Sequence, residues 1–164
     1  MNKIRNKLLA LLLPLLLVHQ ARAQTVVTIG NGTNINWPFS YPAPYGNNFW
    51  GSKHQMLIRA AELTAQGMTA GSITALAFNV ATPEGTPLTN FTIGMKLTAA
   101  LAVTSAFETG FTTVWGPQTY TETSGWNTHT FATPFYWDGT SSLDRKSTRL
   151  NSSHIQKSRM PSSA

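Results

Sequence analysis

The sequence predicts an all-β domain of two packed layers, a β-sandwich of immunoglobulin-like or jelly-roll type. Three observations carry this. Residues 24–143 are rich in Thr, Gly, Asn, Pro and aromatics, a composition that favours strands and tight turns over helices. Short runs with alternating apolar side chains recur along this stretch, separated by Gly, Pro and Asp-Gly turn signals. About seven such runs fit the stretch, enough for antiparallel strands to form two sheets around one core.

Taken in order, TVVTI (25–29) reads as a short strand ending at Gly30-Asn31-Gly32. Residues 35–50 carry Pro38, Pro42 and Pro44. Proline cannot donate to a ladder, so a loop or a broken edge segment is expected there. HQMLIRAAELTAQG (54–67) fits both periods: Met56, Leu57, Ala60, Ala61 and Leu63 suit a helical turn or two, while Gln55, Leu57 and Arg59 alternate with Met56 and Ile58. It is read as a strand to about Ile58, then a short turn or helix closed by Gly67.

SITALAFNV (72–80) is apolar on both faces, with Leu76, Phe78 and Val80 on one and Ile73, Ala75 and Ala77 on the other, as in a central strand. PEGTP (83–87) is its turn. NFTIGMKL (90–97) alternates, with Phe91, Ile93, Met95 and Leu97 inward and Asn90, Thr92 and Lys96 outward. Residues 99–117 read as a long connection containing Phe107, Phe111 and Trp115. QTYTETS (118–124) and WNTHTFA (126–132) flank Gly125 as a hairpin, and TPFYWDG (133–139) ends in an Asp-Gly turn.

The chain of 164 residues has a formal charge of +6, but the charge sits at its ends. Residues 1–23 hold Lys3, Arg5, Lys7 and Arg22 and no acid. Residues 144–164 hold Arg145, Lys146, Arg149, Lys157 and Arg159 against Asp144 alone. Between them, Lys53, Arg59 and Lys96 face Glu62, Glu84, Glu108, Glu122 and Asp138, a net charge of −2. Nucleic-acid binding needs clustered cations on the folded surface, so nucleic acid is excluded as a partner.

Residues 1–23 read as a secretory signal. MNKIRNK is a basic lead, LLALLLPLLLV is a short apolar run, and ARA before Gln24 is a small-x-small cleavage pattern. The run from Leu8 to Val18 is about half of what a membrane-spanning helix needs, so no transmembrane segment is expected after cleavage. The protein is expected to be secreted or held at the outer cell surface. It contains no cysteine, so neither a disulfide nor a lipidated N-terminal Cys contributes.

No catalytic or metal-binding constellation is legible. His54 and His129 are the histidines of 24–143, and Ser52 lies two residues from His54, which matches no nucleophile–base arrangement. His54 is expected to be an ordinary strand or loop residue, and His129 a half-buried structural one. Glu84, Glu108, Glu122 and Asp138 show no spacing for a paired-carboxylate glycosidase. No metal-ligand spacing occurs and no cofactor is expected; the minor alternative is a loop-bound calcium ion held by Asp138 and backbone oxygens. GNG (30–32) is too short for a phosphate loop.

The candidate recognition surface is the aromatic loop. Trp37, Phe39, Tyr41, Tyr45, Phe49 and Trp50 place six rings within 14 residues. Such rings plug the end of a core, pack against a neighbouring domain, or stack on a sugar. Core or rim packing is favoured, with neighbouring domains of the same protein as the next partner and a cell-surface polysaccharide after that.

These residues resemble a module repeated in secreted surface proteins of Bacteroidetes. The likeness rests on IGNGT (29–33), Ser52 and Gln55, AAEL (60–63), GSITALAF (71–78), FTIGM (91–95), GW (125–126) and TPFYWDG (133–139), in that order across 24–143. It implies a non-catalytic sandwich beside other sandwich modules or a type IX secretion sorting domain. In that group the strand after GW carries valine, isoleucine or leucine at inward positions. Here those positions are Asn127, His129 and Phe131, which predicts looser packing.

The tail has no apolar periodicity. DRKSTRLNSSH resembles the translated product of a short-read sequencing adapter, and SRMPSSA resembles its continuation after a variable index, here IQK. The reading is therefore a sandwich over 24–143 that is incomplete after Leu143, followed by an artefactual, disordered segment over 144–164. A strand expected after Asp138-Gly139 would be missing, leaving an unpaired edge and an open core. The functional expectation is a structural or adhesive module of a larger secreted protein, with a carbohydrate-binding accessory module of a hydrolase as the alternative.

Overall fold

A computed structural model describes residues 24–30, 43–46 and 51–149. Residues 1–23, expected to be an export signal, and 150–164 lie outside the described residues. The order is β1 (Ser52–Ile58), α1 (Ala60–Ala65), β2 (Gly71–Val80), β3 (Leu88–Thr98), β4 (Thr112–Tyr120), β5 (Gly125–Trp137) and β6 (Ser142–Arg149). The strands form a four-stranded sheet in the order β1-β6-β3-β4 and a two-stranded sheet of β2 and β5. Every pairing is antiparallel. This is a generic two-layer β-sandwich, as expected from the sequence, without a strand order peculiar to the immunoglobulin or jelly-roll folds.

Period-2 alternation sends one face of each strand into the core between the layers. Phe91, Ile93 and Met95 of β3 meet Phe78 of β2 and Phe131 and Trp137 of β5. Ile58, Val114 and Leu143 extend this core, and Leu63 anchors α1 to it. Leu97, expected inward, is 36% exposed at the end of β3. The ambiguous stretch resolves as the mixed reading had it: β1 stops at Ile58, α1 makes one and a half turns, and Gly67 closes it at φ +80. Glu62 accepts the Arg59 backbone N–H at 2.8 Å, which satisfies a donor left open at the helix start.

Three sequence expectations are corrected. TVVTI is not a strand; residues 24–30 run without ladder partners, tied to β2 through Gln24 Nε2 donating to Thr74 Oγ1 at 2.6 Å. Residues 118–132 are not a hairpin. β4 pairs with β3 from Thr112, which shortens the preceding connection, and β5 pairs with β2, so the chain crosses between layers at 121–124. Finally, the expected disordered segment does not begin at Asp144. Residues 142–149 form β6, paired on both edges, and fill the slot expected to be empty. Ladder bonds use backbone groups that every non-proline residue carries, so a polar sequence without proline takes a slot whose two rails are already in place.

β4 approaches β3 closely at Gly116, which precedes Pro117 through a cis peptide. Gly116 has φ +78, and a Cβ there would collide with the Phe91 carbonyl oxygen. Only glycine meets both conditions.

Candidate functional site

Of the aromatic loop, Tyr45 is described; Trp37, Phe39, Tyr41, Phe49 and Trp50 lie outside the described residues. Tyr45 does not face solvent. It is buried among the core rings, with Phe78 at 5.6 Å, Phe91 at 5.5 Å and Tyr120 at 5.7 Å between centroids. Its hydroxyl is 2.6 Å from His129 Nε2. Burial, reinforced by Tyr120 and Glu122, raises its pKa well above the ordinary phenol range.

His129 is the centre of this ring cluster. It is fully buried, with Trp115 and Tyr120 centroids at 4.5 and 4.7 Å. Burial lowers its pKa to about 4, so it is neutral at pH 7. His54, on β1, is also buried; its Nδ1 accepts the Ala43 N–H at 3.4 Å, and burial lowers its pKa. His54 lies on a strand, one of the two places expected for it, and His129, expected half-buried, is fully buried.

Asn127 organises the crossing from β4 to β5. Its Oδ1 accepts from the Tyr120 hydroxyl at 2.8 Å and the Thr123 N–H at 2.9 Å. Its Nδ2 donates to the Thr123 carbonyl at 2.6 Å and the Gly125 carbonyl at 2.9 Å. A side-chain amide has two donors and two lone pairs, so the buried group is fully satisfied. The looser packing expected of β5 is not found: Asn127, His129 and Phe131 are all buried.

The carboxylates do not converge. Glu122 accepts the Glu84 N–H at 2.9 Å, and Glu108 pairs with Lys96 at 2.9 Å on the opposite side of the four-stranded sheet from the core. Asp138 Oδ1 accepts the N–H groups of Thr140 and Ser141, and Oδ2 accepts the Ser141 hydroxyl at 2.6 Å. These bonds hold its pKa down to about 2. They commit Asp138 to its turn, where the sequence reading had considered calcium. Among the described residues no group of three or more His, Cys, Asp or Glu is placed to hold a metal ion. No helix among them is long and apolar enough to cross a membrane.

The two outer faces differ. The connection 99–111 covers that of the four-stranded sheet: Glu108 N–H donates to Gln55 Oε1 at 2.8 Å, and Phe111 lies under Lys96 and Lys146 at 5.3 and 4.6 Å. The outer face of the two-stranded sheet instead presents Trp126 and Tyr136, 58% and 62% exposed, with Thr128 and Thr130 between them. Their partners on β2 are Asn79 and Ser72. Seven steps of ~3.3 Å along β2 put the two rings about 23 Å apart. This aromatic face was missed in the sequence, although strict alternation with the inward residues of β5 carried the signal.

Comparison with families of known proteins, with curated proteins and with solved structures finds no match for this chain.

Proposed function

We propose that the chain is a non-catalytic structural or adhesive module of a larger secreted or cell-surface protein. One observation carries the reading: three polar side chains that chemistry could use are bonded into the fold. His129 bonds Tyr45 inside the ring cluster, Asn127 holds the layer crossing, and Asp138 holds its turn. Export after cleavage before Gln24 and the adapter origin of 144–164 belong to the same proposal, supported by the sequence features given above. N-terminal sequencing of the protein recovered outside the cell should begin at Gln24. Long-read sequencing of the gene across codon 143 should depart from the present sequence at Asp144; genomic codons for DRKSTRLNSSH would overturn the adapter reading.

A second reading, a carbohydrate-binding accessory module, is favoured by the exposed Trp126 and Tyr136. Flat rings on an open sheet face stack on sugar rings. Affinity electrophoresis through gels containing soluble polysaccharides separates the two readings. Retardation that is lost in Trp126→Ala and Tyr136→Ala, with an unchanged melting curve, supports carbohydrate binding. Unretarded migration in every gel leaves the structural module.

A further inference from the structure

Residues 43–46 form a tight turn, closed by the Gly46 N–H donating to the Ala43 carbonyl at 2.8 Å, with Pro44 and Tyr45 at its corners. The turn belongs to no strand. Two side chains hold it instead. His54 Nδ1 of β1 accepts the Ala43 N–H at 3.4 Å, and His129 Nε2 of β5 meets the Tyr45 hydroxyl at 2.6 Å. These are the two histidines among the described residues. They stand on different sheets, and both end on the same short turn. A neutral imidazole offers one acceptor nitrogen, and an imidazolium offers none. Protonated His54 would set a donor against the Ala43 N–H. At His129 the other nitrogen decides: Nδ1 is buried and has no hydrogen-bond partner among the described residues. In the imidazolium it becomes a charged donor enclosed by Phe91, Trp115 and Tyr120. The ionisable groups around the pair are few. Tyr45 and Tyr120 lie against His129, and Glu122, near both phenols, accepts the Glu84 N–H. β6 sets Ser147 beside His54 and Arg145 over the Phe78 ring, with Ser147 Oγ and Arg145 Nε buried without a hydrogen-bond partner.

We propose that His54 and His129 form an acid-released clasp: neutral, they hold the 43–46 turn against the core, and protonated, they let it go, withdrawing Tyr45 from between the sheets while the ladders stay paired. Burial lowers both pKa values, that of His129 to about 4. The clasp is therefore intact at neutral pH and weakens as the pH falls from 6.5 towards 4. In the released form His129 titrates near its ordinary 6.5, so going from pH 7 to pH 5 favours release about twentyfold or more. Ladder bonds join backbone groups, which do not titrate, so the sheets outlast the turn. The clasp and the turn it holds lie wholly within 24–143 and do not depend on the origin of the tail or on the proposed function. Acid thereby moves one large ring from the core to the surface without dismantling the sandwich.

The test is amide exchange followed by NMR on the full chain, expressed as protection factors so that the intrinsic pH dependence of exchange is removed. The Ala43 and Gly46 amides should be less protected than the ladder amides of β3 and β5 at every pH, which marks opening of the turn alone. Their protection should fall about tenfold or more from pH 7 to pH 5. In His54→Asn/His129→Gln the side-chain amides reach the same partners without titrating. The turn should stay protected there and change by less than about twofold over that range. Tyr45→Phe keeps the ring and removes the hydroxyl, and should lower protection of the turn about fivefold at pH 7; this variant and the unaltered chain carry the test if the double variant does not fold. Protection of the turn equal to that of the β3 ladder, unchanged between pH 7 and pH 5, undiminished in Tyr45→Phe, or falling as steeply in a folded double variant would each overturn the proposal.

Discussion

His129 shows how one buried side chain couples the sandwich to pH. Its pKa is about 4 in the fold against 6.5 ordinarily, because burial penalises the charged ring. The unfolded chain therefore binds the proton first, and stability falls as the pH drops from 6.5 towards 4. The full loss is on the order of 3 kcal/mol. His54 is shifted in the same direction. Asp144 acts oppositely: burial raises its pKa, so its folded-state advantage is present at low pH and is lost as the pH rises past the ordinary 3.8. Melting temperatures should fall from pH 7 to pH 5, and His129→Leu should flatten that dependence; an equally steep slope in the variant would refute the assignment. Asn127 is the second such residue. Asn127→Val strands the Tyr120 hydroxyl, the Thr123 N–H and two carbonyls, at a cost of roughly 3 kcal/mol. Urea denaturation should show a lower midpoint at an unchanged slope. Alternation in the sequence placed both residues inward. Their partners were not legible, because Tyr45 lies 84 positions from His129 and the Asn127 bonds need the layer crossing to exist first.

Strands were read from alternation, and alternation does not say which strands pair. β1 to β3 emerged close to their expected limits because each carries its own apolar pattern and turn signals. The supposed hairpin at 118–132 failed for a specific reason. Gly125 marks a turn, but at φ +90 it leads β5 into the other layer, with Asn127 holding the bend. TVVTI failed because β-branched composition reports a preference, while a strand also needs a ladder partner. At β4 the controlling feature is contact with β3. Gly116→Ala places a methyl against the Phe91 carbonyl at a left-handed φ, so β4 must shift or unpair. The expected loss is about 3 kcal/mol or more. Thermal denaturation should show it, with faster amide exchange concentrated at Phe91 and Gln118. A variant as stable as the parent would mean that β4 is free to move away.

The two layers are unequal in size and in how they are joined. The sequence made the two-layer class legible, since period and turn spacing are local properties. It did not make the four-plus-two division legible, because that depends on which chain segment fills the β6 slot. The order β1-β6-β3-β4 attaches β1 to its sheet through β6 alone. α1 follows β1, and the Ala60 N–H reaches the Ser142 hydroxyl at the start of β6 at 3.4 Å. If the unpartnered polar atoms of β6 weaken it, β1, α1 and β6 must loosen together. β3–β4 and β2–β5 then remain paired around Phe91, Phe78 and His129. Local opening of this kind appears in amide exchange as a cooperative unit of lower free energy than the whole. Amides of 52–58 and 142–149 should therefore exchange at a common rate, faster than the paired amides of β3 and β4, even though β6 is flanked on both sides. Arg145→Leu/Ser147→Val should slow that unit selectively and leave β2–β5 unchanged. If β6 instead exchanges as slowly as β3 in the unaltered chain, its buried polar atoms impose no penalty and the sandwich opens as a single unit.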